Sequence, residues 1–382
     1  MEFVATIWNA GSSLLGYLVP FLFVLAIVVF IHELGHFLVG RWCGVDVKVF
    51  SIGFGREIYG FNDKHGTRWR IALIPLGGYV KFSGDADASS APDNAEVAQM
   101  TPQERVRSFP AQSIGERAAI VAAGPIANFL LAIFIFTATV FLFGKQVLIP
   151  RIDQVVAGGA AERAGLQAGD LVVAIDGQPM GSFSDMQRVI SVRPNEVVSV
   201  TVERAGAKLT IPVTPALVET TSPLGKQRLG IIGVQASRKA EDWTVQHFGP
   251  LEAVRNGVSE TWFVVERTYD YIGKLVSGRE STDQLSGPIR IAQVSGLVAS
   301  NGGFLALINL AAILSVSIGL MNLLPVPMLD GGHLMFYAIE TLRGRPLSER
   351  AQEIGARIGL SLVLLLMLFV TWNDILHVRS QL

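Results

Sequence analysis

The chain has 382 residues, half of them hydrophobic and only 16% charged, whereas an ordinary soluble domain is about one quarter charged. That balance excludes a purely cytosolic enzyme, and 31 Lys+Arg against 32 Asp+Glu leave a formal charge of −1, too little basic field to hold nucleic acid. With one cysteine, Cys43, an intrachain disulfide or cysteine metal cluster is excluded, so any metal must take His and carboxylate ligands.

The elements follow in chain order. Leu14 to Ile31 is an unbroken run of apolar, Gly and Pro residues ending at His32, close to the roughly 20 residues needed to cross a bilayer. It predicts a first transmembrane helix within residues 1–38. A cleaved secretory signal is the alternative, but no Lys or Arg precedes the run, and it leads into His32 and Glu33 instead of a small-residue cleavage site. Residues 39–117 predict a β region. Within it 46–82 is rich in aromatic and β-branched residues, with a turn signal at Asn62-Asp63-Lys64-His65-Gly66, which reads as a small hairpin or sheet. Residues 85–94 turn Ser-, Ala- and Asp-rich, the composition of a mobile loop. A second span covers 118–143, uncharged and carrying Gly124, Pro125 and Asn128.

Residues 147–235 alternate short apolar runs with turns at Asp176-Gly177 and Arg193-Pro194-Asn195, the pattern of a compact β-rich domain. Its stretch from Ala160 to Asp170, followed by Ile175-Asp176-Gly177, resembles the signature of bacterial PDZ domains, with Ala161 in place of the usual Pro. That resemblance implies a peptide or chain terminus bound along a sheet edge; a folded spacer without ligand is the alternative. Residues 247–276 place Leu251, Val254, Val258, Trp262 and Val265 at helical spacing, an amphipathic helix for the outer membrane face or for the β-rich domain. A third segment covers 304–330, uncharged from Phe304 to Pro327. After a loop at 331–353, a fourth span at 354–373 contains Arg357 near one end, where it can snorkel to the headgroups.

Basic residues follow the first span at Arg41, Lys48 and Arg56, precede the second at Arg105, Arg107 and Arg117, and join the third to the fourth at Arg343, Arg345 and Arg350. Positive charge favours the cytoplasmic side. Both termini and the 147–235 domain are therefore expected outside.

His32-Glu33-Leu34-Gly35-His36 is the His-Glu-x-x-His pattern. On a helix both imidazoles share a face and can hold one metal, with Glu33 beside them to activate water. Charged groups in mid-membrane cost about 2.5–3.5 kcal/mol each on insertion scales, so their placement at the end of an apolar span indicates function. A catalytic zinc needs a third protein ligand. Asp330 is the best-placed carboxylate, after Pro325 and Pro327 have broken the helix. Spans one and three run the same way, so both ligand sets reach a similar depth near the cytoplasmic face. His333, three residues on, is a competing ligand.

The set His32-Glu33-x-x-His36, Pro75-Leu-Gly-Gly-Tyr-Val-Lys81, Gly124-Pro-Ile-Ala-Asn128, the PDZ-like stretch, Ser286-Gly-Pro288 and Asn322-x-x-Pro325-x-Pro327-x-Leu329-Asp330-Gly331 resembles, in order and over nearly the whole chain, the site-2 protease family of intramembrane zinc metalloproteases, in its bacterial regulator-of-sigma-E type. The one departure is a single PDZ-like segment where some relatives have two.

The resemblance implies an α-helical polytopic membrane protein with four transmembrane helices, a membrane-associated β-hairpin or sheet and one inserted extracytoplasmic PDZ-like domain, in a bacterial inner membrane. It makes His32, His36 and Asp330 ligands of Zn2+ and Glu33 the general base, and it ranks His333 second, as an outer partner. Asn322 would bond the substrate backbone, with an interhelical hydrogen bond as its alternative, and Asn128 would pack span two against the site. The 67–82 hairpin, with Gly77, Gly78 and Tyr79, would be a reentrant segment that pairs with unwound substrate. Expected substrates are single-pass membrane proteins such as anti-sigma factors after a first cut, and remnant signal peptides. The competing classes are a metal or proton transporter and an inactive PDZ-bearing adaptor.

Overall fold

The computed structural model describes residues 2–85, 94–222, 225–237, 239–277 and 287–381. The chain divides into two compact units, one formed by residues 1–139 and 254–382, the other by 140–253. Ser286 and most of the loop expected at 85–94 lie outside the described residues.

The first unit opens with helix α1 (Glu2–Trp42), which Gly44, at φ 79°, terminates in the left-handed conformation common after helices. Strands β1 (Val47–Asn62) and β2 (Arg68–Phe82) follow. They form a two-stranded sheet, one of the two forms expected from sequence, with pairing more extensive than a simple hairpin's. Residues 49–52 of β1 face 78–81 of β2 on one side and 68–71 on the other, while 57–62 return to pair with 68–72. Strands of this length double back, because a flat ribbon this long would leave both apolar faces without a core. Phe37 of α1 and Phe50, Val80 and Phe82 of the sheet share that core, where Trp69 stacks on Phe50 with ring centroids 4.2 Å apart. Two short helices, α2 (Asn94–Gln99) and α3 (Pro102–Val106), complete the region. Thr101 and Glu104 close α3 with reciprocal side-chain to backbone bonds. Helix α4 (Ile114–Phe143) is the second long apolar helix.

The second unit begins with β3 (Lys145–Leu148), β4 (Ile152–Val155), α5 (Ala160–Ala164), β5 (Leu171–Ile175), β6 (Gln178–Pro179) and α6 (Phe183–Ser191). It continues through β7 (Val198–Arg204), β8 (Ala207–Val213), β9 (Ala216–Ser222), β10 (Gly225–Ile231), β11 (Val234–Ala236) and β12 (Trp243–Gln246). A four-stranded sheet has the order β6-β5-β7-β8, and β9-β10, β4-β11 and β3-β12 form pairs. Alternation builds its core: Val198, Val200 and Val202 point inward from β7 while Ser199 and Glu203 face out. The stretch singled out for its PDZ-like sequence folds as α5 and a left-handed cap at Gly165, then places Leu166 in the core. Asp170, fully buried, accepts two 2.7 Å bonds from Arg204.

The first unit resumes with α7 (Pro250–Val276), α8 (Pro288–Asn322), α9 (Asp330–Arg343) and α10 (Glu349–Gln381). Four segments are long and apolar enough to cross a membrane: 14–42, 114–143, 288–322 and 350–376. The third therefore starts well before the expected boundary at 304. Gly303, at φ 66°, kinks it there, and the apolar helix continues behind the kink to Pro288. It also ends before the expected 330, because Pro325 and Pro327 lie in a non-helical link and Asp330 opens a separate helix. Contacts fix the directions. Tyr17 meets Gly296, Phe23 meets Phe304, and Val24 and Val28 pack with Leu307 and Ala311, so α1 and α8 run parallel. His32 meets Asn128 and His36 meets Ile120, so α4 runs opposite to α1 and hence to α8.

Helix α7 is amphipathic, as its spacing predicts. Leu251, Val254, Val258 and Trp262 of its large apolar stripe are exposed, and the helix approaches α4 where Gly257 sits against Ile133 and Thr137. Small residues allow that close approach and leave the bulky ones facing outward.

Candidate metal centre

Helical spacing puts His32 and His36 on one face of α1, with their Nε2 atoms 3.2 Å apart. Helix α4 supplies the outer contact of each ring. His36 Nδ1 lies 2.9 Å from the carbonyl oxygen of Ile120, a contact only an N–H can make, so the lone pair of this imidazole is on Nε2. His32 Nδ1 lies 3.2 Å from the Asn128 amide. Between these partners Gly124 passes the ring tips so closely that a Cβ there would stand 2.3 Å from His36 Nε2 and 2.9 Å from His32 Nε2. No other residue fits.

Asp330 arrives from the first turn of α9. Its carboxylate oxygens lie 3.2 Å from His32 Nε2 and 3.6 Å from His36 Nε2. The link before it is held under strain: Met328 has φ 82°, a conformation that costs a non-glycine residue of order 1–3 kcal/mol and persists where surrounding packing enforces it. Gly331 and Gly332 bring α9 against the carbonyls of Leu323, Leu324 and Val326, and Gly359 of α10 lets Pro327 rest on its backbone. Further along α9, Glu340 accepts a 2.9 Å bond from Arg117 of α4, whose guanidinium covers Tyr337. Three helices thus set one carboxylate.

The donor set fits a zinc ion. One ligand atom from each of His32, His36 and Asp330 lies within 4.8 Å of the others, and contacts of 3.2–3.6 Å match the edges of a tetrahedron with metal bonds of about 2.0–2.2 Å. Among the described residues, the buried Asp330 Oδ2 faces only the His32 imidazole, 3.2 Å from its Nε2, a costly arrangement for a carboxylate oxygen and a ring lone pair unless a cation stands between them. His333 stays out of this cluster, its ring edge-on to Phe336.

Glu33 is buried beside the imidazoles, and its carboxylate accepts from the Val80 amide of β2. Gly78 packs against the same side chain, where a Cβ would stand 3.0 Å from Glu33 Cγ. Gly77, at φ 137°, faces the Phe54 ring. Tyr79 stacks on Phe54 and hydrogen-bonds Arg70. Asn322 ends α8 at the start of the strained link, half-buried and without a side-chain hydrogen bond among the described residues.

The sequence pointed to His32, His36 and Asp330, which the structure brings together, and to Asn128 packing against the site, but not to the contacts of Ile120 and Gly124. Ile120, Gly124 and Asn128 recur every four residues on α4, matching the four-residue step of the histidines; a backbone carbonyl, however, leaves no trace in residue type.

Residues 20–366 match Peptidase family M50. A protein from Agrobacterium fabrum named as a zinc metalloprotease is 51% identical over 371 residues, which is 97% of this chain and 98% of the relative. One from Rhizobium meliloti with the same description is 50% identical over 363 residues, 94% of this chain and 97% of its own. The metalloprotease MmpA of Caulobacter vibrioides is 40% identical over 380 residues, covering 94% of this chain and 95% of the relative.

Proposed function

The chain belongs to peptidase family M50 and is a membrane zinc metalloendopeptidase; from that premise we propose that it hydrolyses peptide bonds within transmembrane segments of single-pass proteins, with His32, His36 and Asp330 holding zinc and Glu33 as general base. The observation that carries this reading is the meeting of Asp330 with both imidazoles beside a buried glutamate.

When bound, zinc supplies the Lewis acid that makes water a competent nucleophile near neutral pH. Glu33 takes the proton from the attacking water and delivers it to the leaving amine nitrogen. The Val80 amide holds the carboxylate in place for both transfers. A helical substrate hides its scissile bond, so part of it must unwind. Among the described residues, Pro75 and Gly77 of β2 have no partner on β1, and this stretch, leading into Gly78 and Tyr79, is where an extended substrate would add as a strand. Asn322, with its free amide, would take a backbone group from the other side.

The site is assigned to the cytoplasmic half of a bacterial inner membrane, with both termini and the 147–235 domain periplasmic, on the distribution of basic residues. The domain would act as a PDZ module that receives a peptide or chain terminus. Anti-sigma factors trimmed outside the membrane, and remnant signal peptides, are the proposed substrates.

The test uses the purified full chain and a model transmembrane peptide. Zinc-dependent cleavage is expected to stop with chelator and to fall by about 10²–10⁴ in Glu33→Gln, while that variant keeps one zinc per chain. Metal transport without cleavage would replace this reading with a transporter, and peptide binding alone with an adaptor.

A further inference from the structure

The two imidazoles of the metal centre are served by one helix at positions 120 and 128, but by different chemistry. Ile120 offers a carbonyl oxygen, which fixes the proton of His36 on Nδ1. Asn128 offers an amide, which can present either a donor or an acceptor to His32 Nδ1, since its two ends are isosteric. Asn128 is fully buried, its Nδ2 is the atom 3.2 Å from the ring, and among the described residues its Oδ1 has no hydrogen-bond donor.

That orientation suits an imidazole whose proton is on Nε2. It does not suit a ligand. Coordination through Nε2 requires the lone pair there and the proton on Nδ1, and an amide N–H facing an imidazole N–H is repulsive. Rotating the amide by half a turn places Oδ1 where Nδ2 stands and gives the Nδ1 proton an acceptor. Outer partners of this kind typically change metal affinity by about 10–100-fold.

We propose that Asn128 is a positioning residue of the metal centre: its side-chain oxygen accepts the Nδ1 proton of His32 and so holds the Nε2 lone pair toward the metal. The surroundings are built to fix this residue. Ser315 of α8 donates a 2.9 Å bond to the Asn128 backbone oxygen, and Gly319 packs against its Cβ. Helix α8 therefore clamps the backbone of Asn128 and leaves its amide to the histidine.

The inference rests on the zinc reading above, and the experiment separates the two. Zinc affinity of the full chain in detergent is measured by chelator competition for the wild type and for Asn128→Leu, Asn128→Asp, Ser315→Ala and His32→Ala. Wild-type binding that His32→Ala abolishes supports the ligand set; without it the zinc reading itself fails. Given that binding, Asn128→Leu is expected to weaken zinc about 10–100-fold. Asn128→Asp, which can only accept from a neutral Nδ1–H, is expected to hold zinc within about threefold of wild type or more tightly. Ser315→Ala, which removes the interhelical bond but not the amide, is expected to change affinity less than about threefold. Unchanged affinity in Asn128→Leu, an equal loss in Asn128→Asp, or an equal loss in Ser315→Ala would overturn the proposal.

Discussion

At the scale of single residues, the polar groups of the β sheet in the first unit show how a charge is held without a metal. Asp63, in the turn between β1 and β2, is held down at about 2: partial burial would raise it, but the amides of Thr67 and His65, the Trp69 indole N–H and the Arg41 guanidinium all favour the ionised form. Its folded-state value lies below the ordinary 3.8, so the charged form contributes stability that is complete above the unfolded value and disappears as pH falls from about 4 toward about 2. Thermal unfolding of wild type against Asp63→Asn should therefore show its largest difference above pH 5, shrinking to nothing near pH 2. A difference that does not depend on pH would mean that Asp63 acts only through shape. Asp330 stands in the opposite situation: among the described residues its buried Oδ2 faces only the His32 imidazole, 3.2 Å away. The same residue type is thus satisfied by the protein in one place and left for a cation in the other.

At the scale of elements, the centre is a meeting of helices, with β2 laid beside them. The gap between α8 and α9 does what a continuous helix could not: it carries Asn322 and Asp330 on opposite sides of a strained link supported by Gly359 of α10. Two substitutions separate the work of the elements. Gly359→Leu places side-chain atoms where Pro327 now rests and should displace the link, so zinc affinity should drop at least tenfold, in line with loss of a supporting contact. Leu76→Pro removes a backbone N–H between Pro75 and Gly77, which have no β1 partner among the described residues, so cleavage of a transmembrane peptide should slow while zinc affinity stays at the wild-type level. Unchanged turnover in Leu76→Pro would discard strand addition at this edge; unchanged zinc binding in Gly359→Leu would show that the link does not need α10.

For the whole molecule, alternating helix directions bring one end of α1, α4 and α8 together at the site, and the proposed orientation would put that end at the cytoplasmic side. Because Cys43 is the sole cysteine, the orientation can be read in a Cys43→Ala background. Single cysteines at exposed Lys208 in the second unit, at His65 in the β1–β2 turn and at Arg345 after α9 give three reporters. A reagent that does not cross membranes should label only position 208 from the periplasmic side, and positions 65 and 345 only after lysis. Labelling of 65 from outside would invert the assignment.

The sequence by itself determined what depends on neighbours along the chain: four apolar runs long enough to span, alternation in the β-rich unit, and the paired histidines with Glu33, since hydropathy and helical spacing are local properties. It also pointed to Asp330, from the helix break at Pro325 and Pro327 and the shared direction of spans one and three, with the family resemblance favouring it over His333. Only the tertiary structure decided how that carboxylate meets the rings, that Gly303 kinks an earlier-starting helix, that β1 and β2 pair twice, and that Ile120 and Asn128 serve the two imidazoles. Those features arise where separate helices and strands touch, and a contact between surfaces is set by packing of the folded chain, which residue order alone does not encode in any readable period.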